Sequence, residues 1–521
     1  MARELHAEIA VIGGGLGGFA AALAAARSGK KVILTEETDW IGGQITAQGV
    51  PPDEHPWIET TGCTRSYREF RDGVRNYYRS HFPLSKQGKQ QKYFNAGNAL
   101  VSRIAHEPRT ALAVLYQMAA PYVHSGRMNI LLNHVPVSAE TEGDQVRSVN
   151  VRNLNTDEEV VIHAPYVLDA TECGDLLPLT GAEYVTGSES QKQTGEPHAL
   201  PGEPDLTDMQ AITYCFAVDF IEGEDHTIDK PKDYDFWNQY RPDFWPAKMF
   251  DWIGPNPATH EARRYVLFPE GDHFSLFNYR RIIDRANFAP GTYEGDVTII
   301  NWPQNDYFIG PIIDVSEEEK RRHLEGAKQL SLSLLYWLQT EAPRHDGGYG
   351  YHELRLRKDV LGTEDGLAKY PYIRESRRIK AEFTILEQHI TRPFHADGKA
   401  EAFKDSVGIG YYSIDLHPST GNRHYIHFAP LRFQIPLGSL LPVRLNNLLP
   451  ANKNIGTTHI TNGCYRLHPV EWNIGESAGL LASFCLDKGE PPRAVRADEQ
   501  LLEEFQQCLI RHGIELVWPQ A

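Results

Sequence analysis

The sequence is poor in cysteine: six in 521 residues, with no CxxC pair and no regular spacing. That excludes a disulfide-stapled scaffold and a zinc ribbon, and the thiols read as reduced and mostly structural. A basic surplus is missing too. With 52 Lys and Arg against 69 Asp and Glu the net charge is −17, the wrong sign for neutralising a nucleic acid or an anionic membrane surface. Membrane spans are not expected, because the only long apolar stretch, residues 10–26, is interrupted by a glycine cluster. The residues before the first strand-like run have no apolar core, so no secretory leader is expected and the cytoplasm is the expected location. GxGxxG occurs once only, which argues against a separate nicotinamide-binding domain.

What is present is organised around that motif. The apolar run Ile9 to Ile12 leads into Gly13, Gly15 and Gly18 in GxGxxG register. In a dinucleotide-binding βαβ unit the first glycine serves the tight turn, the second lets the backbone approach a pyrophosphate, and the third allows close packing of helix on strand. An Ala/Leu-rich helix over 19–28 would aim the positive end of its dipole at that pyrophosphate. A second strand over 31–35 then ends in Glu36, placed to accept hydrogen bonds from ribose hydroxyls, with Glu37 read as a solvated loop residue.

The length calls for two packed domains, and 41% hydrophobic with 23% charged residues is a soluble globular balance. Gly42 and Gly43 follow the ribose carboxylate closely enough to let the backbone pass beside a bulky cofactor. Residues 67–81 and 111–122 read as helices of an inserted layer, 128–132 as a strand, and 146–154 with 159–163 as a hairpin. Residues 166–176, YVLDATECGDL, carry Ala170, Thr171 and Asp175. After a polar, proline-bearing boundary from 187 come a strand over 211–220 and an aromatic-dense segment over 233–252, read as packing. Ser316 with Glu319 forms a capping box that launches a helix through Gln339.

With its GxGxxG, Glu36 and Gly42–Gly43, the chain resembles the glutathione-reductase-type FAD-dependent oxidoreductases. The segment around 46–49 also looks like the succinate dehydrogenase and fumarate reductase flavoproteins, which carry a flavin-attaching histidine where this chain has Gln44, Ile45 and Thr46. Non-covalent FAD is therefore implied, with His55 as a second candidate for attachment. PYIRESRR at 371–378 and the IleAspXxxHisPro pattern at 414–418 resemble a narrower family known as FAD-dependent oxidoreductases. Where those relatives have Gly-Asp this chain has Glu172 and Cys173, and Asn452 stands where they have glycine. With no partner cysteine nearby, Cys173 reads as structural.

The resemblance implies an α/β fold: a Rossmann-like FAD-binding domain of three-layer ββα type with an inserted α+β substrate domain. The expected parts are 1–190, with a helical insertion at about 60–125, then 191–430 for the substrate, then 431–521 returning to the FAD. Expected cofactor contacts are Gly13, Gly15, Gly18, Glu36, Gly42, Gly43, Gln44, Ala170, Thr171, Asp175 and Gly475. Candidate catalytic residues are Arg374, Arg377, His417, Tyr465 and His468. Arginine forks suit a carboxylate, an enolate or the charge of a reduced flavin, though pairing with Glu375 or Glu382 would make them structural. Asp415 and His417 alternate onto one face of a strand and could act as an oriented acid–base pair. Arg466 and His459 are expected near the ring, with a helix beginning near His468 pointing its N-terminus there. No spacing of His417, His424 and His427 calls for a metal. The expected reaction is hydride transfer between flavin and a small-molecule substrate. A flavin monooxygenase and a non-redox FAD-binding protein are the alternatives. The electron acceptor (oxygen, quinone or carrier) and homo-oligomer formation are not assigned by the sequence.

Overall fold

A computed structural model describes residues 3–519. Strand β1, Ile9–Ile12, is buried on both faces, as an uninterrupted apolar run in a parallel sheet must be. It is joined by α1, Leu16–Arg27, to β2, Val32–Glu36. Three further strands complete the sheet: β3, Met128–Leu132; β4, Tyr166–Asp169; and β5, Leu448–Pro450. The order is β5–β4–β1–β2–β3, all parallel.

Side chains alternate across β1, so Ile9 and Val11 join one core and Ala10 and Ile12 another. The second core is closed by an antiparallel meander, 134–142, 145–153 and 159–163, whose Val149, Val151 and Ile162 pack on Ala10 and Ile12. The opposite face carries α1 and the helix at 468–488. Meander, parallel sheet and helices are the three layers of the expected ββα arrangement.

Helix α2, Arg65–His81, is capped by Thr64, whose side chain accepts from Tyr67 N–H. Helix α3, Pro108–His124, starts on proline, where no helical N–H is lost. Both lie in the segment expected to be an inserted helical layer. The middle of the chain builds a second antiparallel sheet in the order 281–283, 297–300, 216–220, 354–356. Helix α4, Glu317–Thr340, packs against it and has the Ser316–Glu319 capping box. This sheet has its own hydrophobic cluster, which absorbs the aromatic segment: Trp337 stacks on Phe250 and tilts against Trp252.

Two expected strands are shorter than their patterns. Only 216–220 of the 211–220 stretch is a strand, because Ile212 and Thr213 make single bridges to Tyr307 and Tyr372 instead of joining the ladder. The 406–418 stretch breaks at 411–413 into strands paired with different partners, 433–436 and 426–428.

Helix α5, His468–Lys488, starts with Pro469 in its first turn and crosses α1 closely. A Cβ on Gly475 would lie 1.9 Å from Gly17 O, and one on Gly479 would lie 2.3 Å from Ala21 O. Gly475, expected at the cofactor, is therefore a helix-crossing glycine. The Ala/Gly composition of α1 has the same cause.

Candidate functional site

The β1–α1 turn is shaped by two glycines. Gly13 has φ 103°, a left-handed conformation that disfavours a side chain, and a Cβ there would strike Ala170 O at 2.2 Å. Gly18 lets α1 approach the turn, since its Cβ would lie 1.9 Å from Gly13 O. Gly15 forms the N-cap of α1 without a side-chain cap. The Gly42–Gly43 turn closes over it, for a Cβ on Gly43 would come within 2.9 Å of Gly15 Cα.

Glu36 closes β2 and faces this turn. Gly14 N–H donates to its Oε2 (3.0 Å), and Thr38 donates to its Oε1 through N–H and hydroxyl (2.9 and 2.8 Å). Burial, reinforced by Glu37 and Glu172 nearby, pushes its carboxyl up to about 8 against the hydrogen bonds from Thr38. Glu37, expected as a solvated loop residue, lies in a bend and is half-buried; it lines the cavity described next, and desolvation raises its carboxyl to about 7.

The cavity has a volume of about 610 Å3. It runs from Val135 and Pro136 on the meander, past Glu36, Gly15 and Thr171, to Ala47, Gln48 and Tyr370. An apolar end, a carboxylate for a ribose, a helix N-terminus at a glycine cradle and an aromatic end match the successive parts of FAD. The residues present fit that cofactor. Of the expected contacts, Gly13, Gly15, Glu36, Gly43, Ala170, Thr171 and Asp175 line the cavity. Gly18 and Gly42 shape it from behind. Gln44 turns away, its Nε2 donating to Arg466 O (3.1 Å) and Glu471 Oε2 (2.8 Å).

From the Ala47 end, residues 44–53 lead to a buried polar cluster. Asp53 N–H donates to His468 Nδ1 (3.0 Å), and the Asp53 carboxylate pairs with Arg280 (3.0 Å). Burial lowers His468 to about 4, so its imidazole is neutral near pH 7. Arg466 donates to Tyr372 hydroxyl (2.8 Å) and Asp415 O (2.8 Å). Asp415 Oδ1 meets His427 Nδ1 at 2.9 Å, and its Oδ2 lies 3.5 Å from His417 Nε2. His417 Nδ1 is 2.6 Å from Asp306 Oδ2, and Asp306 Oδ1 is paired with Arg374 at 2.9 Å. Burial opposes the charge of both aspartates. His417, His427 and Arg466 nevertheless hold Asp415 well below the usual carboxylate range, and Arg374 and His417 lower Asp306.

Arg374 and His417 thus belong to one chain of polar contacts with Asp306 and Asp415, and His468 to a second with Asp53 and Arg280. Arg377 reaches neither: it ties Asp175 (2.9 Å) to Asp314 (2.8 Å). Tyr465 is stacked on Phe433 with its hydroxyl donating to Gln434 O (2.8 Å), inside the core and away from the cluster. Arg378 is paired with Glu375 and Glu189, and His459 with Glu375. His424 stacks on His260. Sequence reasoning missed Asp53, Arg280 and Asp306, which carry no local motif, and Tyr372, which lies inside the 371–378 motif without being singled out; the fold unites them.

A family model described as FAD dependent oxidoreductase matches residues 8–509. The chain belongs to that family. Its cofactor is FAD, and it is an oxidoreductase flavoprotein. Similar solved structures include E. coli quinol fumarate reductase FrdA (12% identity, 98% of this chain and 67% of that one, TM-score 0.32). A geranylgeranyl bacteriochlorophyll reductase-like protein from Thermoplasma acidophilum is similar at 11% identity (98% and 85%, TM-score 0.31). L-proline dehydrogenase from P. horikoshii is similar at 16% identity over 36% of this chain (TM-score 0.19). The chain covers only 25% of that dehydrogenase, 31% of an adenosine-5-phosphosulfate reductase and 38% of the aromatic hydroxylase CabE. No curated protein matches the chain. Among the described residues no helix is long and apolar enough to cross a membrane.

Proposed function

We propose that this FAD-dependent oxidoreductase acts by hydride transfer on a small organic substrate, with FAD held non-covalently and His417 moving the accompanying proton. The observation that carries the reading is the Arg374–Asp306–His417 chain. Asp306 is fully buried and engages Nδ1 of His417, while Nε2 faces Asp415 at 3.5 Å, beyond a good hydrogen bond. A carboxylate on Nδ1 fixes the ring so that proton exchange with substrate takes place at Nε2, and Arg374 keeps that carboxylate ionised. The His417 side chain is about one-fifth exposed, so the base is reachable by substrate.

Arg280 and Arg466 lie in the buried polar clusters beside this chain. Their Nε atoms are buried and have no protein acceptor among the described residues, which suits them to donate to an oxygen of a bound substrate. When bound, FAD supplies a two-electron acceptor or donor at its ring. In the oxidative direction His417 Nε2 takes the proton of an O–H or N–H group while the neighbouring carbon loses hydride. In the reductive direction the same nitrogen returns it. Non-covalent binding is supported by Gln44, Ile45 and Thr46 standing where the attaching histidine of the relatives lies, and by His55, whose Nε2 is engaged with Gly62 O at 3.0 Å.

The test is an anaerobic screen of small organic acids, alcohols and amines for bleaching of the flavin, run with wild type and His417→Gln. Substrate-dependent bleaching that slows at least about a hundredfold in the variant is expected for loss of a positioned base. Bleaching at an equal rate in both proteins removes His417 from the reaction. Consumption of NAD(P)H with oxygen uptake on substrate binding would instead make the protein a monooxygenase.

A further inference from the structure

The cradle between Gly15 and Gly43 holds a carboxylate of the chain itself. Glu172 Oε1 lies 2.5 Å from where a Cβ on Gly15 would be and 2.8 Å from one on Gly43, and it has no donor among the described residues. Glu172 Oε2 is bonded to Lys453 Nζ at 2.5 Å. Lys453 is completely buried. Its ammonium also donates to Asn452 Oδ1 (3.1 Å) and lies 3.6 Å from Glu471 Oε2. Together these put one anion and one cation beside the uncapped N-terminus of α1. A cofactor diphosphate that takes its place at that helix end needs the space Glu172 fills.

We infer that Glu172 is an internal stand-in for the FAD diphosphate, and that Lys453 is the cation the two anions exchange. In the cofactor-free chain Lys453 pairs with Glu172. When the diphosphate is seated, Glu172 leaves the cradle and Lys453 pairs with the phosphate oxygens, still flanked by Glu471. This rests on the chain's assignment to FAD and goes beyond the glycine motif, which supplies only backbone donors and a helix dipole.

The physical reasons are charge and desolvation. A buried ammonium cannot be left without an anion, because removing one member of a buried pair is strongly destabilising; some anion must face Lys453 in both states. A buried carboxylate oxygen with no donor, as Glu172 Oε1 is, is poorly solvated, so its departure costs less than that of a satisfied group. Glu172 is also positioned to leave, since its side chain is 13% exposed and lines the cavity. Glu471 stays behind, fully buried. Burial raises its carboxyl while Lys453 opposes the shift, and it remains beside the lysine when Glu172 leaves.

The experiment measures FAD release from the purified holoprotein, by recovery of flavin fluorescence on dilution, for wild type, Glu172→Gln and Lys453→Met. Retention of ADP and of adenosine is measured in parallel by calorimetry on the released protein. Glu172→Gln removes the competing charge, so FAD and ADP should be held at least about tenfold more tightly, on the scale of one charge-assisted hydrogen bond. Lys453→Met should weaken both by at least about tenfold on the same scale. Adenosine, which has no phosphate, should bind all three proteins equally. Weaker FAD in Glu172→Gln, or an unchanged ADP affinity in Lys453→Met, overturns the inference. If Lys453→Met fails to fold, Glu172→Gln decides alone: unchanged FAD and ADP affinity there sinks the stand-in role. Failure of FAD to bind wild type at all would instead refute the cofactor assignment.

Discussion

Replacing Asp306 by Asn keeps its shape and one carbonyl oxygen but removes the charge between Arg374 and His417. Two consequences can be separated. The first is stability. Arg374 and Asp306 are both buried, 2.9 Å apart, and losing one member of such a pair costs about 3–5 kcal/mol. Arg374 retains Ala211 O (2.8 Å), Thr213 Oγ1 (2.9 Å) and Asn301 Oδ1 (3.2 Å) as acceptors, so the lower part of that range is expected. The second is chemistry. An amide can donate to Nδ1, which stabilises the tautomer with its proton on Nε2, and that tautomer cannot accept one there. The expected loss is about a hundredfold to ten-thousandfold in substrate-dependent flavin reduction, the usual size for a general base put out of use. The assay is anaerobic stopped-flow bleaching with the first substrate found by screening, together with thermal melting and FAD content. Histidine ring 15N shifts, assigned with His417→Gln, report the tautomer without any substrate. A lower melting temperature with unchanged tautomer and unchanged reduction rate would show that Asp306 only braces Arg374, and the proton path through His417 would fall.

Acid precipitation should release yellow flavin into the supernatant, since Gln44, Ile45 and Thr46 offer no attachment; flavin on the pelleted chain refutes this. Gly15→Val should abolish FAD retention, because its side chain enters the cradle now occupied by Glu172 Oε1; full flavin content in the purified variant would place the cofactor elsewhere. Arg377→Ala should keep the reduction rate while loosening the link between Asp175 and Asp314, read as a lower melting temperature; a hundredfold slower reduction would return it to the chemistry. Glu36 is raised by burial to about 8 from an ordinary value near 4.5. Between these values the folded chain holds a proton that the unfolded chain has lost, so Glu36 lowers stability as pH rises through that window, by at most about 1.4 kcal/mol per pH unit. Melting of cofactor-free protein from pH 4.5 to 8 should therefore have a shallower downward slope in Glu36→Gln, and an unchanged slope would refute the assignment.

The nucleotide half of the site is legible in the sequence because its parts are neighbours along the chain. Gly13, Gly15, Gly18 and Glu36 sit on one strand–helix–strand unit, and the period of the apolar residues fixes their placement before any tertiary contact is known. Glycine alone is ambiguous in that reading. Gly475 is expected at the cofactor from the family resemblance, yet it serves the crossing of two helices, because a missing Cβ is equally useful for approaching a phosphate and for approaching Gly17 O. The strand patterns mislead where other segments compete with the ladder: Ile212 and Thr213 exchange backbone hydrogen bonds with Tyr307 and Tyr372, and Ala211 O accepts from the Arg374 guanidinium.

The chemical half is illegible for a different reason. Its ion pairs join positions far apart: Asp53 with Arg280 across 227 residues, Asp306 with His417 across 111, and Glu172 with Lys453 across 281. A single Asp or Arg in a loop has many sterically available partners, and no local period selects one. The fold selects by exclusion. Once buried, each charge must be met, since an unpaired one costs far more than a pair gains. The three arginines at 374–378 show this: one segment sends Arg374 to Asp306, Arg377 to Asp175 and Asp314, and Arg378 to Glu189 and Glu375. Only the first touches the His417 network. A run of arginines thus identified a place where buried carboxylates converge, and which arginine serves the chemistry follows from which carboxylate also holds a histidine.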